Sequence, residues 1–110
     1  MVLCLSLNTT RDIVVPVNEF IRGKVLRTKK NNNIFSYPAG KAINSARAAQ
    51  TLGCDVVVSG FCGAEDFDYT YKYLKKNGIN SYLTSVDGKN RICVIINELK
   101  KNTETVINSE

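Results

Sequence analysis

The chain has 110 residues, 44% of them hydrophobic and 23% charged, a composition that fits one small globular domain with a modest core and leaves no room for a second. Histidine is absent, which excludes Ser-His and Cys-His nucleophiles and His-ligated metal centres, so any chemistry must rest on carboxylates, lysine, arginine or backbone groups. Lysine and arginine number 15 against 10 acidic residues, and the resulting charge of +5 permits an anionic partner while being ordinary for solubility. No apolar run approaches the roughly 20 residues that span a bilayer. Val2 to Leu7 is too short, and lacks the basic flank, for a signal peptide, so a cytoplasmic location is expected. Cys4, Cys54, Cys62 and Cys93 form no Cys-x-x-Cys pair, which argues for free thiols rather than a disulfide scaffold or a zinc site.

In chain order, Val2 to Asn8 reads as a half-buried or central strand, and Asp12 to Val17 as a second extended piece. The basic run Arg27 to Lys30 leads into Asn31, Asn32 and Asn33 and is expected to be a polar connection between strands. From Lys41 to Leu52, the residues Ile43, Ala46, Ala49 and Leu52 recur at every third position, a narrow stripe of mostly small side chains on a helix, with Gly53 as its cap. Asp55 to Phe61 carries three consecutive valines, the mark of a buried strand, and Gly60-Phe61-Cys62-Gly63 leads into a tight turn. Asp66 to Asn77 has Phe67, Tyr71 and Leu74 at helical spacing and late lysines, with Gly78 as its stop, and Tyr69 and Tyr73 are expected to form a half-buried face. Strands return at Ile79 to Thr84, Arg91 to Asn97 and Thr103 to Asn108, the last two as a hairpin. The pattern predicts an α/β layer with parallel strands plus a hairpin that stands apart.

The segment Tyr37 to Gly53 carries the sharpest chemical signal. Pro38 stiffens the approach, Gly40 permits a turn that other residues resist, and the helix that follows presents free N–H groups and the positive end of its dipole. Lys41 adds a full charge where a phosphate could sit. The Walker nucleotide pattern fails here, because Phe35 stands where its first glycine belongs and Ala42 where Ser or Thr would hold magnesium.

Ala39-Gly40-Lys41-Ala42-Ile43-Asn44, followed by Ala46-Arg47 and closed by Leu52-Gly53, resembles the first signature of the PfkB carbohydrate kinases, in the branch of 1-phosphofructokinases and tagatose-6-phosphate kinases. Other segments match in order. Asn8 to Asp12 resembles an Asn-Pro-x-x-Asp at the end of the first strand, Gly60 to Gly63 a Gly-Phe-x-Gly, Arg91 to Val94 a Thr-Arg-x-x-Val, and Thr103 to Asn108 a Thr-x-x-x-x-Asn segment. Ala39, Ala42, Thr9 and Asn90 depart from the usual residues. The resemblance implies a ribokinase-like α/β fold: the N-terminal part of a parallel sheet flanked by helices, with a β-hairpin lid. It implies transfer of the ATP γ-phosphoryl group to a sugar phosphate with Mg2+, and substrate contacts from Asp12, Gly40, Lys41, Asn44, Arg91 and Asn108. Asp12 and Asn44 would meet sugar hydroxyls, and Lys41 and Arg91 the phosphate.

The family's second signature, Gly-Ala-Gly-Asp with the catalytic aspartate, would lie beyond Glu110, as would the ATP site. Residues 1–110 are therefore expected to be the sugar-phosphate-binding portion of a kinase domain. No catalytic residue and no cofactor are assigned to this chain alone, and no kinase activity is expected from it. The lid or an exposed sheet edge offers a surface for a homodimer. Two readings of other classes accompany this one. A nucleic-acid module is suggested by the charge and by a Gly-x-x-Gly loop at Gly60 to Gly63, and a non-catalytic interaction fragment by the prospect of an unpaired sheet edge.

Overall fold

A computed structural model describes residues 1–28 and 33–110 of the chain. Most of the asparagine-rich connection after Arg27 therefore lies outside the described residues. The elements are β1 (Val2–Ser6), β2 (Thr10–Val17), β3 (Phe35–Ala39), α1 (Lys41–Thr51), β4 (Val56–Gly63), a 3-10 turn (Ala64–Asp66), α2 (Phe67–Lys76), β5 (Asn80–Val86), β6 (Arg91–Glu98) and β7 (Thr103–Asn108). They form two sheets. One is parallel, in the order β1-β4-β5, and carries α1 and α2 on one face. The other has the order β3-β2-β6-β7, with β2 and β6 parallel and both outer pairs antiparallel.

The expected hairpin is present as β6 and β7 and stands apart from the parallel sheet, as half of a four-stranded second sheet. β3 was not foreseen, because Pro38 cannot donate to a ladder. It is tolerated because β3 is an edge strand, pairing only with β2. The tight turn expected after Gly60 to Gly63 is the 3-10 turn at Ala64–Asp66, and because β4 continues through Gly63 the Gly-x-x-Gly loop on which the nucleic-acid reading leaned is strand.

Ile43 and Ala46 of α1 pack with Val56, Val58, Leu74 and Ile79 in the core between helices and parallel sheet. Both helices end in a glycine of positive φ. Gly53 N–H donates to Gln50 O and Cys54 N–H to Ala49 O, and Gly78 and Ile79 repeat the pattern on Lys75 and Leu74, which closes the last turns. Leu52, expected on the buried stripe, is 83% exposed, and Tyr71 is also exposed, while Thr70 is buried in its place. The opposite face of the parallel sheet is uncovered, with Leu3, Leu5, Phe61 and Tyr82 exposed on it. No helix among the described residues is long and apolar enough to cross a membrane.

Candidate functional site

The site starts at the beginning of α1. Gly40 precedes the helix at φ 109°, a conformation that side-chain-bearing residues resist, and a Cβ there would meet Asn8 O at 3.0 Å. Gly40 O accepts the first helical bond from Asn44 N–H at 2.9 Å. No side chain caps this end and no acidic residue occupies the first turn, so the first amides and the positive helix end stay open to an anion. Lys41 is exposed beside them and forms no ion pair among the described residues.

A cleft of about 360 Å³ opens at this point, lined by Leu5, Ser6, Leu7, Asn8, Lys41, Ala42 and Arg91. It lies at the C-terminal end of β1, where parallel α/β sheets offer strand ends and helix starts to ligands. Lys41 enters from the first residue of α1 and Arg91 from the first residue of β6, so two cations from a helix and a strand line one opening that has no carboxylate in its wall. The Nε of Arg91 is buried and has no hydrogen-bond partner among the described residues. A buried unpaired donor is costly, and an incoming oxyanion would satisfy it.

The remaining predicted residues do not line this cleft. Asp12 lies within β2, which contains the second extended piece expected from Asp12 to Val17, after the chain leaves β1 at Ser6 and crosses to the second sheet. In that sheet Tyr37, Asp12, Cys93 and Asn108 form one row across four strands, two residues along from the Thr10–Arg91 pair and on the same face. Asp12 is buried and accepts a hydrogen bond from Thr10 Oγ1 at 2.8 Å. Burial first, and the Asp12 charge second, raise the Cys93 thiol above its ordinary pKa, and the same causes raise Tyr37. Asn44 and Asn108 are exposed.

A larger hollow of about 490 Å³, lined by residues that include Val15, Val17, Phe20, Leu26, Ile34 and Ile96, contains none of the predicted residues. Ser6 and Asn8 were not chosen from the sequence, although their position at the end of a parallel strand was the available signal. Asp66 and Arg11, which bond across the two layers, carry no motif of their own, and Asn90, bonded to Asp66, stands only as a departure from the threonine before Arg91. Among the described residues no three acidic, histidine or cysteine side chains are grouped to hold a metal ion.

Residues 3–110 match the pfkB family of carbohydrate kinases. A 1-phosphofructokinase of Haemophilus influenzae is 35% identical over 97 residues, which are 88% of this chain and 30% of that protein. A tagatose-6-phosphate kinase of Staphylococcus epidermidis is 29% identical over 104 residues, 94% of this chain and 33% of its own length. Among solved structures, a possible 1-phosphofructokinase of Thermotoga maritima superimposes with a TM-score of 0.89 at 28% identity, over 98% of this chain and 34% of its own. The fold is ribokinase-like. The chain spans about a third of the length of the relatives it matches.

Proposed function

The chain belongs to the pfkB family of carbohydrate kinases, and from that membership we propose that it forms the sugar-phosphate side of a kinase acting on a ketohexose phosphate. The observation that carries this reading is the cleft in which Lys41 and Arg91, 50 residues apart in the chain, meet at the open start of α1. Arg91 would grip the substrate's phosphate with a planar fork and Lys41 as a point charge, and Gly40 lets the helix amides approach it. Asp12 would accept bonds from sugar hydroxyls, Asn44 and Asn108 would offer a donor and an acceptor each, and the second sheet would cover the sugar and exclude water. Fructose 1-phosphate, fructose 6-phosphate and tagatose 6-phosphate all present this combination of one phosphate and several hydroxyls. The family's phosphoryl donor is ATP, generally with Mg2+, and the ATP site and catalytic carboxylate are placed in sequence outside these residues. The location proposed is the cytoplasm, where such phosphates are found.

Calorimetric titration of the three sugar phosphates into the chain tests the site. Binding of at least one, reduced about tenfold or more by Arg91→Ala and partly retained by Arg91→Lys, is the expected result, since a lost charge-assisted hydrogen bond is worth about 1.5–3 kcal/mol. Unchanged affinity in Arg91→Ala removes that residue from the reading. Incubation with ATP, Mg2+ and each sugar phosphate is expected to yield no product from the isolated chain, and detectable phosphorylation overturns the placement of the donor side elsewhere.

A second reading is favoured by the bare face of the parallel sheet. Parallel sheets normally carry cover on both faces, and the relatives have twice as much further chain with which to supply it. On this reading the chain is a non-catalytic binding fragment that functions seated against another polypeptide, and the lid sheet or its edge is a candidate surface for a second copy.

A further inference from the structure

We propose that Asn90 and Asp66 are positioning residues for Arg91, a proposal that rests on reading the cleft as a sugar-phosphate site. Arg91 has no ion pair among the described residues, and its Nε has no partner, so its own side chain does not set its aim. Its backbone pairs with Thr10 of β2, which belongs to the same sheet and would move with it. Lys41 opens α1 just after β3, whose Ala39 pairs with the same Thr10. One side of Arg91 is therefore held by the Thr10 pairing, and the approach to it is held by the bonds that fasten the preceding residue, Asn90, to the first layer.

Asn90 is 7% exposed and Asp66 6% exposed. Gly63 N–H, at the end of β4, donates to Asn90 Oδ1 at 2.7 Å, and Asn90 N–H donates to Asp66 Oδ2 at 2.8 Å. Asn90 Nδ2 also points to the buried Cys62 Sγ at 3.5 Å. The other carboxylate oxygen of Asp66 faces Arg11 Nη1 at 3.5 Å, and the Arg11 guanidinium lies 4.7 Å from the centre of the Tyr69 ring, so β2 is tied to the same point. The backbones are in close contact here. A Cβ on Gly63 would fall 2.6 Å from Lys89 C and 2.8 Å from Asn90 N, which is why this position takes glycine. The chain thus enters the second sheet through a buried clamp on the first, and charge-assisted bonds to Asp66 give that clamp its strength. Sequence reading saw Asn90 only as a departure from a threonine; the structure gives it a task.

The test is a double-mutant cycle read by titration of fructose 1-phosphate into the 110-residue chain. Asn90→Ala is expected to weaken binding about tenfold, corresponding to the loss of one hydrogen bond with its buried partner left unpaired. In an Arg91→Ala background the same substitution is expected to have no further effect, because it acts through Arg91. Asp66→Asn keeps the shape and an acceptor for Asn90 N–H, so it serves where Asn90→Ala does not fold. A loss of a few fold that again vanishes without Arg91 is expected of it. Unchanged affinity in both variants, or equal losses with and without Arg91, overturns the proposal. If the unmodified chain binds no sugar phosphate, the reading of the cleft fails instead, and the clamp is judged by amide hydrogen exchange. Slow exchange at Gly63 and Asn90, accelerated in Asp66→Asn, supports it, and exchange as fast as in exposed turns refutes it.

Discussion

Each titratable or polar side chain near the cleft acquires its behaviour from what lies beside it in space. Cys93 sits between Asp12 and Asn108 in the sheet row, buried, with its thiol pKa raised by desolvation and by the carboxylate, and pulled the other way by Arg91. A group that binds its proton more tightly when folded adds stability that is complete below its unfolded pKa, about 8.5 for cysteine, and that is lost as pH rises through the higher folded value. Tyr37 acts in the same direction at more alkaline pH. Thermal stability is therefore expected to decline as pH rises from about 8 to 10, and to decline less steeply in Cys93→Ala, from a lower starting point. Melting curves across that range check this, and a parallel decline in the two proteins counts against it. The same environment predicts thiol reactivity: Cys54 is exposed and should be alkylated first, whereas Cys62 and Cys93 are buried and should react only on unfolding.

The helices illustrate how a spacing rule and a packed face can diverge. An α-helix turns about 100° per residue, so residues three apart drift by about 60° at each step. Along Ile43, Ala46, Ala49 and Leu52 the drift reaches half a turn, and the stripe that begins in the core ends in solvent at Leu52. In α2 the buried arc is centred on Thr70 and Leu74, and it extends toward Tyr69 and Tyr73, which are half-buried as expected. Tyr69 lies under Arg11 and bonds Ser36 Oγ through its hydroxyl at 3.1 Å, while Arg47 lies over Tyr37 and Tyr73. These contacts, two of which involve Ser36 and Tyr37 of β3, lie on the Tyr69 and Tyr73 side of the helix and away from Tyr71. Leu74, fully buried in the core, is the position where truncation should hurt most. Leu74→Ala is expected to cost about 2–5 kcal/mol, against under about 0.5 kcal/mol for Leu52→Ala on the surface. Denaturant titration of both variants measures the contrast, and similar midpoints would contradict the assignment of the buried arc.

For the molecule as a whole, the asymmetry of the parallel sheet is the dominant fact. One face carries both helices, and the other presents Leu3, Leu5, Phe61 and Tyr82 to solvent. The run Val56-Val57-Val58 is written for a strand packed on both sides, yet only Val56 and Val58 are buried and Val57 is half-buried. An uncovered apolar face of this kind is adhesive. The isolated chain is expected to self-associate as its concentration rises, and Leu5→Lys combined with Tyr82→Lys to keep it monomeric. Sedimentation velocity over a concentration series measures this, and a monomer at all concentrations without the substitutions would remove the case for a missing cover.

How much of this was legible beforehand follows from the range of each interaction. The helix-start turn at Gly40-Lys41, the capping glycines, six of the seven strands and the chemistry of Lys41 and Arg91 are local properties, written in the residue types and in periods of two and about 3.6. β3 was hidden because a proline argues against a strand unless that strand has a free edge, and the edge is a fact of the assembled sheet. The pairing of β2 with β6 joins residues some 80 positions apart, Thr10 with Arg91 and Asp12 with Cys93. Side-chain alternation says which face a residue occupies and nothing about which strand will lie next to it. By itself, then, the sequence determined a helix start with open amides beside Lys41, and Arg91 joined it only through the family resemblance. The tertiary structure decided that the two line one cleft, because that depends on the non-local pairing that sets Ala39, Thr10 and Arg91 in one row, which no local residue type encodes.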